Sequence, residues 1–174
     1  MLGDTRNVLN EFKGKDGSDI VDELDRRTCG LEIACENTLR DFNMGSIVRT
    51  ANAFGVRHVH VVGRRQWNKR GAMATDTYLH VHYHPTIEAF ISAMRDRSVP
   101  VIAIENNRTS DSLQRAELPE QVCLVFGQEG PGLSDEFIAA CDQVLHIDQY
   151  GSTRSINVGH AAAVAMYEWS RQHR

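Results

Sequence analysis

Two apolar runs, Val99 to Ile104 and Val122 to Phe126, do most to limit the folds open to this chain. Each has the length and β-branching of a strand buried on both faces, and such strands belong to parallel sheets covered by helices on either side. Segments with helical spacing stand between the strand candidates. Ile20, Val21 and Leu24 make a narrow stripe over Asp16 to Thr28, with Asp16 or Ser18 as its cap. Ile47, Val48 and Ala51 mark the inward face of Asn43 to Phe54, which Gly55 terminates. Ile87, Phe90, Ile91 and Met94 mark another amphipathic helix, and Asp135 to Cys141 and Asn157 to Arg171 read as two more. Leu31 to Cys35, Val56 to Val62 and Val144 to Ile147 read as strands, and His80 to Pro85 as an alternating edge segment closed by its proline. The alternation predicts an α/β fold with a mainly parallel sheet flanked by helices. A length of 174 residues suits one such domain, residues 29–174, preceded by a helical extension over residues 1–28.

Composition removes several function classes. No run approaches the ~18 apolar residues of a membrane span, and Met1 to Asn7 lacks the apolar core of a signal peptide. Cys29, Cys35, Cys123 and Cys141 form no C-x-x-C pair, so neither a zinc cage nor a disulfide framework is signalled. They read as reduced thiols of a cytoplasmic protein with no metal centre, Cys123 and Cys141 buried beside a glycine loop. The net charge of −4 opposes indiscriminate nucleic-acid binding. Charge is nevertheless uneven: Arg57, Arg64, Arg65, Lys69 and Arg70 occur with no carboxylate among them and with Trp67 in their midst. That pattern suits phosphate contact plus base stacking. A solvated loop paired with distant carboxylates would look the same.

The run ending at Phe126 empties into Gly127-Gln128-Glu129-Gly130-Pro131-Gly132, and a second loop, Asp148 to Asn157, follows one short element later. Glycines after a strand let backbone groups approach a ligand closely. In open parallel sheets ligands lie beyond the carboxyl ends of the strands. The first loop is neither the G-x-G-x-x-G dinucleotide fingerprint nor a P-loop, and alone it could be a tight strand-to-helix turn. Asn43 alone could be a helix cap, and Arg49 alone a surface arginine.

Three segments taken together go further. Asn43-x-Gly45-x-x-x-Arg49-Thr50-Ala51, Phe126-Gly127-x-Glu129-Gly130-x-Gly132-Leu133-Ser134 and Gly151-Ser152-x-x-Ser155-Ile156-Asn157-Val158 occur in order. Over Leu31 to Trp169 the chain closely resembles the SpoU/TrmH-type RNA ribose 2′-O-methyltransferases of the SPOUT superfamily. The resemblance implies S-adenosylmethionine as methyl donor, a C-terminal deep trefoil knot of the rare kind that threads the chain through itself, and a homodimer with its active site near the subunit interface. It implies RNA as partner, tRNA favoured because no large recognition module is present, and no membrane. Ribosomal RNA is the alternative substrate, and a non-catalytic RNA-binding or assembly factor of the same fold the alternative function.

Carried over by motif position, Ile104, Gly127, Glu129, Gly130, Ile147, Ser155 and Ile156 would hold the methyl donor. Arg49 would be the central catalytic residue, with Asn43, Glu129, Ser155 and Asn157 completing the catalytic set. Arg57, Arg64, Arg65, Lys69 and Arg70 would contact RNA. Gln128 stands where many relatives carry Asn, and Gly159-His160 replaces a serine-containing sequence. His160 reads as a packed helix residue rather than a base.

Overall fold

A computed structural model of the chain describes residues 4–27, 29–38, 43–107 and 109–174. Helix α1 (Gly17–Asp25) precedes β1 (Leu31–Asn37), α2 (Asn43–Ala53), β2 (His58–Gly63), β3 (His80–His84), α3 (Ile87–Asp96), β4 (Val101–Ile104), β5 (Asp111–Ser112), β6 (Val122–Phe126), α4 (Asp135–Ala140), β7 (Gln143–His146) and α5 (Val158–His173). The seven strands form one sheet in the order β3-β2-β1-β6-β4-β7-β5, every neighbouring pair parallel. The α/β expectation therefore holds. Strand β6, late in the chain, inserts between two strands that precede it, β1 and β4.

Side chains alternate across each strand and so feed two cores. Leu31, Ile33 and Cys35 pack with Met44, Ile47 and Val48 of α2 and with Ala162, Met166 and Trp169 of α5. Ala34, Val62 and Val125 face the opposite way, towards Phe90 and Met94 of α3 and Phe137 of α4. Strands β1 and β6 are buried at every position: β6 reads as an unbroken apolar run, whereas β1 also buries the polar side chains of Glu32, Glu36 and Asn37. Residues of the N-terminal segment join through a third cluster, Phe12 and Ile20 against Tyr78. Among the described residues no helix is long and apolar enough to cross a membrane.

The edge pair β2–β3 carries a ladder of five imidazoles on its α3 side. His58 Nδ1 lies 3.0 Å from His82 Nε2, and His60 Nδ1 lies 2.9 Å from His84 Nε2. His60 Nε2 is 2.8 Å from buried Glu32, which also accepts from Arg97. His80 closes the other end on Asp25, beside Arg57. Burial, then repulsion from His60 and His58, pushes His82 down to about 4. Burial lowers His58 and His84 as well. For Glu32 burial pushes upward, but the bonds from His60 and Arg97 win and hold the carboxyl at about 2.

The linkage follows directly. An unfolded His82 takes up a proton near pH 6.5, whereas the folded one waits until about 4, so stability falls as pH drops through that window. Glu32 stays ionised throughout it. Because the ladder is half-open to solvent, screening limits the loss to about 1 kcal/mol, or roughly 2–4 °C of melting temperature for a chain of this size. His82→Thr is expected to flatten the dependence of melting temperature on pH between 6.5 and 4. Calorimetry showing the same slope in both proteins would assign the acid sensitivity elsewhere.

Candidate active site

Strands β6, β4 and β7 end side by side, and the loops that follow them line an open cleft of about 190 Å³. Ile104, Gly127, Glu129, Gly130, Ile147, Ser155 and Ile156 all line this one cleft, together with Asn157. Gly127 is required by crowding: a Cβ there would lie 2.2 Å from the carbonyl carbon of Gly132. The glycine loop folds back on itself, Gln128 and Gly132 exchanging backbone hydrogen bonds of 3.1 and 3.0 Å.

Two carboxylates pin that loop from outside. Glu36, at the end of β1, accepts from the Ser134 N–H at 2.8 Å, and Glu105, just past β4, accepts from the Leu133 N–H at 2.9 Å. Ser134 in turn caps α4. The longer amide at Gln128 has a defined use: Nε2 donates to Thr38 Oγ1 at 2.6 Å, and Oε1 accepts from the Thr38 N–H at 3.2 Å. Glu105, Asn106, Gln149, Val158 and Ala161 also line the cleft and were not anticipated. Glu105 directly follows an apolar strand, and that position is the signal that could have found it.

The three sequence motifs meet at the cleft's edge. Asn157 caps α5, its Oδ1 accepting from the N–H groups of Gly159 at 2.9 Å and His160 at 3.4 Å. Its Nδ2 donates to Asn43 Oδ1 at 2.9 Å and to Glu129 Oε1 at 3.2 Å, while Asn43 Nδ2 donates to Glu129 Oε2. A first-turn residue of α2, the glycine loop and the α5 cap are thereby locked as one polar junction. Gly159 spares the capping oxygen a tight contact, since a Cβ there would lie 3.1 Å from Asn157 Oδ1.

Arg49 stands apart from this junction. It is exposed on α2 and does not line the cleft. His160 is exposed too, so the expectation that it is a packed helix residue is corrected.

A profile of the SpoU rRNA methylase family matches residues 30–167. The chain belongs to that family. This SpoU-family chain is 28% identical over 158 residues to the tRNA (guanosine(18)-2′-O)-methyltransferase of Escherichia coli strain K12, covering 89% of this chain and 69% of that enzyme. A structure solved to explain 2-OH methylation of C/U34 on tRNA superposes with a TM-score of 0.71 at 29% identity, over 82% of this chain and 95% of that one. The AdoMet-bound rRNA methyltransferase from Sinorhizobium meliloti superposes with a TM-score of 0.72 at 25% identity, over 81% of this chain and 56% of that one.

The basic segment of the SpoU-family chain divides in two. Arg57 is only 2% exposed, donating to Asp25 at 2.8 Å and to the Tyr78 carbonyl at 2.7 Å. It holds α1 to the sheet at the amino end of β2 and is withdrawn from the RNA-contact set. Trp67 is a core residue at 9% exposure, so the base-stacking expectation for it is corrected as well. Arg64, Arg65 and Arg70 are exposed, and Lys69 is exposed but paired with Asp76 at 2.6 Å. The turn Arg70–Ala72 sits on α2 because Gly45 and Gly71 allow the two backbones to touch: a Cβ on Gly45 would lie 2.8 Å from the Gly71 nitrogen.

Proposed function

We propose that this chain is a methyltransferase that uses S-adenosylmethionine to modify a ribose 2′-hydroxyl in RNA, with tRNA as substrate. The observation that carries the proposal is the Asn43–Glu129–Asn157 junction at the rim of the strand-end cleft. The tRNA assignment rests on the named tRNA enzyme among its relatives and on the tRNA-directed structure it resembles. The Sinorhizobium neighbour keeps ribosomal RNA as a second reading. A cytoplasmic homodimer is part of the proposal, the dimer supported by an exposed stripe on α5 with Val164 at 43% and Tyr167 at 61% exposure. The late insertion of β6 between β1 and β4 is compatible with a C-terminal trefoil knot. Residues 1–28 are read as an extension of one catalytic domain.

The cleft suits the methyl donor. Ile104, Ile147 and Ile156 offer apolar walls for a purine, and Gly127 opens backbone to close contact. The Gln149 amide oxygen is buried at the wall without a partner among the described residues, which leaves an acceptor for an exocyclic amine. Bound there, S-adenosylmethionine supplies a methyl group on a sulfonium, open to in-line displacement.

The chain's own residues must solve the problem of the nucleophile. A ribose hydroxyl titrates about five or six units above neutrality, so prior ionisation would cost roughly 7–8 kcal/mol. A fixed cation beside the oxygen lowers that cost as charge develops in the transition state. Arg49 supplies it as a guanidinium cation, and the proton of the hydroxyl passes to solvent. Asn43, Glu129 and Asn157 fix the first turn of α2, and hence Arg49, relative to the cleft. Ser155 is exposed at the cleft's lip, which supports a contact to donor or ribose in this reading.

Arg64, Arg65, Lys69 and Arg70 carry the phosphate contacts in this reading. Replacing Arg64 and Arg65 together with Gln is expected to flatten the slope of log affinity against log salt by about 1.5. Filter binding at several salt concentrations measures it, and an unchanged slope would turn the segment away from RNA. For the function itself, labelled donor is incubated with separate pools of unmodified tRNA and ribosomal RNA. Label in tRNA supports the proposal, label only in ribosomal RNA selects the second reading, and label in neither contradicts both.

A further inference from the structure

Trp67 is buried, yet the basic surface keeps an aromatic ring. Tyr83, on edge strand β3, is 37% exposed, and the Arg65 guanidinium stands 4.7 Å from its ring centroid. Val81 packs into the core shared with Met44 and Ile47, so Tyr83, two residues on, projects from the face that α2 covers. The histidines of β3 take the other face. Register sets the height of the ring: Tyr83 pairs with Val61, Val61 with Cys35, and Cys35 with Phe126, the residue before Gly127. The stack is therefore level with the mouth of the cleft, three strand positions away, roughly 14 Å at about 4.8 Å per strand.

Arg65 is held in place by its neighbours. Buried Asn37, the last residue of β1, donates through Nδ2 to the carbonyls of Arg64 at 2.6 Å and Gln66 at 3.0 Å, the two residues flanking Arg65. Its own carbonyl accepts from the Arg64 N–H at 2.9 Å. Next in the chain, Thr38 is gripped by Gln128 of the glycine loop. A continuous run of short-range hydrogen bonds thus joins the cleft to the arginine over the tyrosine.

We propose that the Arg65–Tyr83 stack is a docking platform for an unpaired RNA base within a few nucleotides of the ribose presented at the cleft. The inference rests on the RNA methyltransferase reading above. Guanidinium and phenol both stack on bases with little regard to sequence. The outer plane of Arg65 receives the base while its N–H edge keeps a phosphate contact, Arg64 and Arg70 receive the adjoining phosphates, and the Asn37–Thr38–Gln128 connection fixes the spacing from stacked base to reacting hydroxyl. The platform selects substrates whose target lies in a loop, where a neighbouring base is free to unstack.

The test uses full-length protein and a methylatable tRNA transcript carrying 2-aminopurine at single positions flanking the modified nucleotide. Wild type and Tyr83→Phe are expected to change the fluorescence at one flanking position. Tyr83→Leu is expected to lose that change and to raise KM for RNA about ten-fold, with kcat and the affinity for S-adenosylmethionine little altered. Arg65→Leu, on an exposed loop outside the core, gives the same result should Tyr83→Leu unfold the edge strand. A wild-type enzyme that methylates the RNA while both leucine variants keep its fluorescence response and KM overturns the platform alone. A wild-type protein that neither binds nor methylates RNA overturns the functional reading and the platform with it.

Discussion

Arg49→Ala is expected to cut methyl transfer by about 10²–10³-fold, the usual effect of removing a group that stabilises developing negative charge. Affinity for S-adenosylmethionine is expected to stay within about two-fold, because Arg49 does not line the cleft. The substitution also leaves folding nearly untouched: the side chain is exposed, and no salt bridge or hydrogen bond to it is present among the described residues. Arg49 lies six residues beyond Asn43 on α2, about 9 Å along the helix axis, a distance that a long side chain and an incoming ribose can close between them. Single-turnover transfer and calorimetric titration of the donor separate the two effects. Lost donor affinity with the fold intact would move Arg49 into the donor site; unchanged transfer would remove it from the chemistry.

Glu129→Gln, nearly isosteric, is expected to be almost as damaging as Glu129→Ala, with transfer reduced about 10²-fold through lost positioning. The reason is a count of donors. Glu129 accepts from the amide N–H₂ of Asn43 on one oxygen and from that of Asn157 on the other. A glutamine offers only one oxygen, so its own N–H₂ must confront one of those donors. Turning the Asn157 amide over would relieve that clash but withdraw the oxygen that caps α5. Turning Asn43 over would set its N–H₂ against the Nδ2 of Asn157. Activity near wild type in Glu129→Gln, in a protein of normal melting temperature, would show that the junction does not position the catalytic groups.

How far the sequence could be read depended on how local each cause was. The strands β4 and β6 are legible because burial on both faces forces an unbroken apolar run. Strand β5 is not: Asp111 and Ser112 are polar and extended only because β7 pairs with them. The sheet order is equally hidden, since nothing inside Val122–Phe126 says that it will lie between β1 and β4. Arg57 and Trp67 were misread for one reason. Both sit in a stretch that looks like a basic surface, and their burial is decided by Asp25, Tyr78 and the α2 core, far away in sequence. The junction shows both sides. Asn43, Glu129 and Asn157 stand out by likeness to a family, but their hydrogen bonds span 86, 114 and 28 residues, and no periodicity reports such contacts.

The most direct test of the central claim is the chemical position of the transferred methyl group. RNA methylated with labelled donor is hydrolysed in alkali, which cleaves a phosphodiester only where the neighbouring 2′-hydroxyl is free. Label recovered in alkali-resistant dinucleotides, and absent after reaction with Arg49→Ala, is the predicted result. Label released in mononucleotides would mean that the methyl group sits on a base, and would contradict the account of Arg49 and the junction around it.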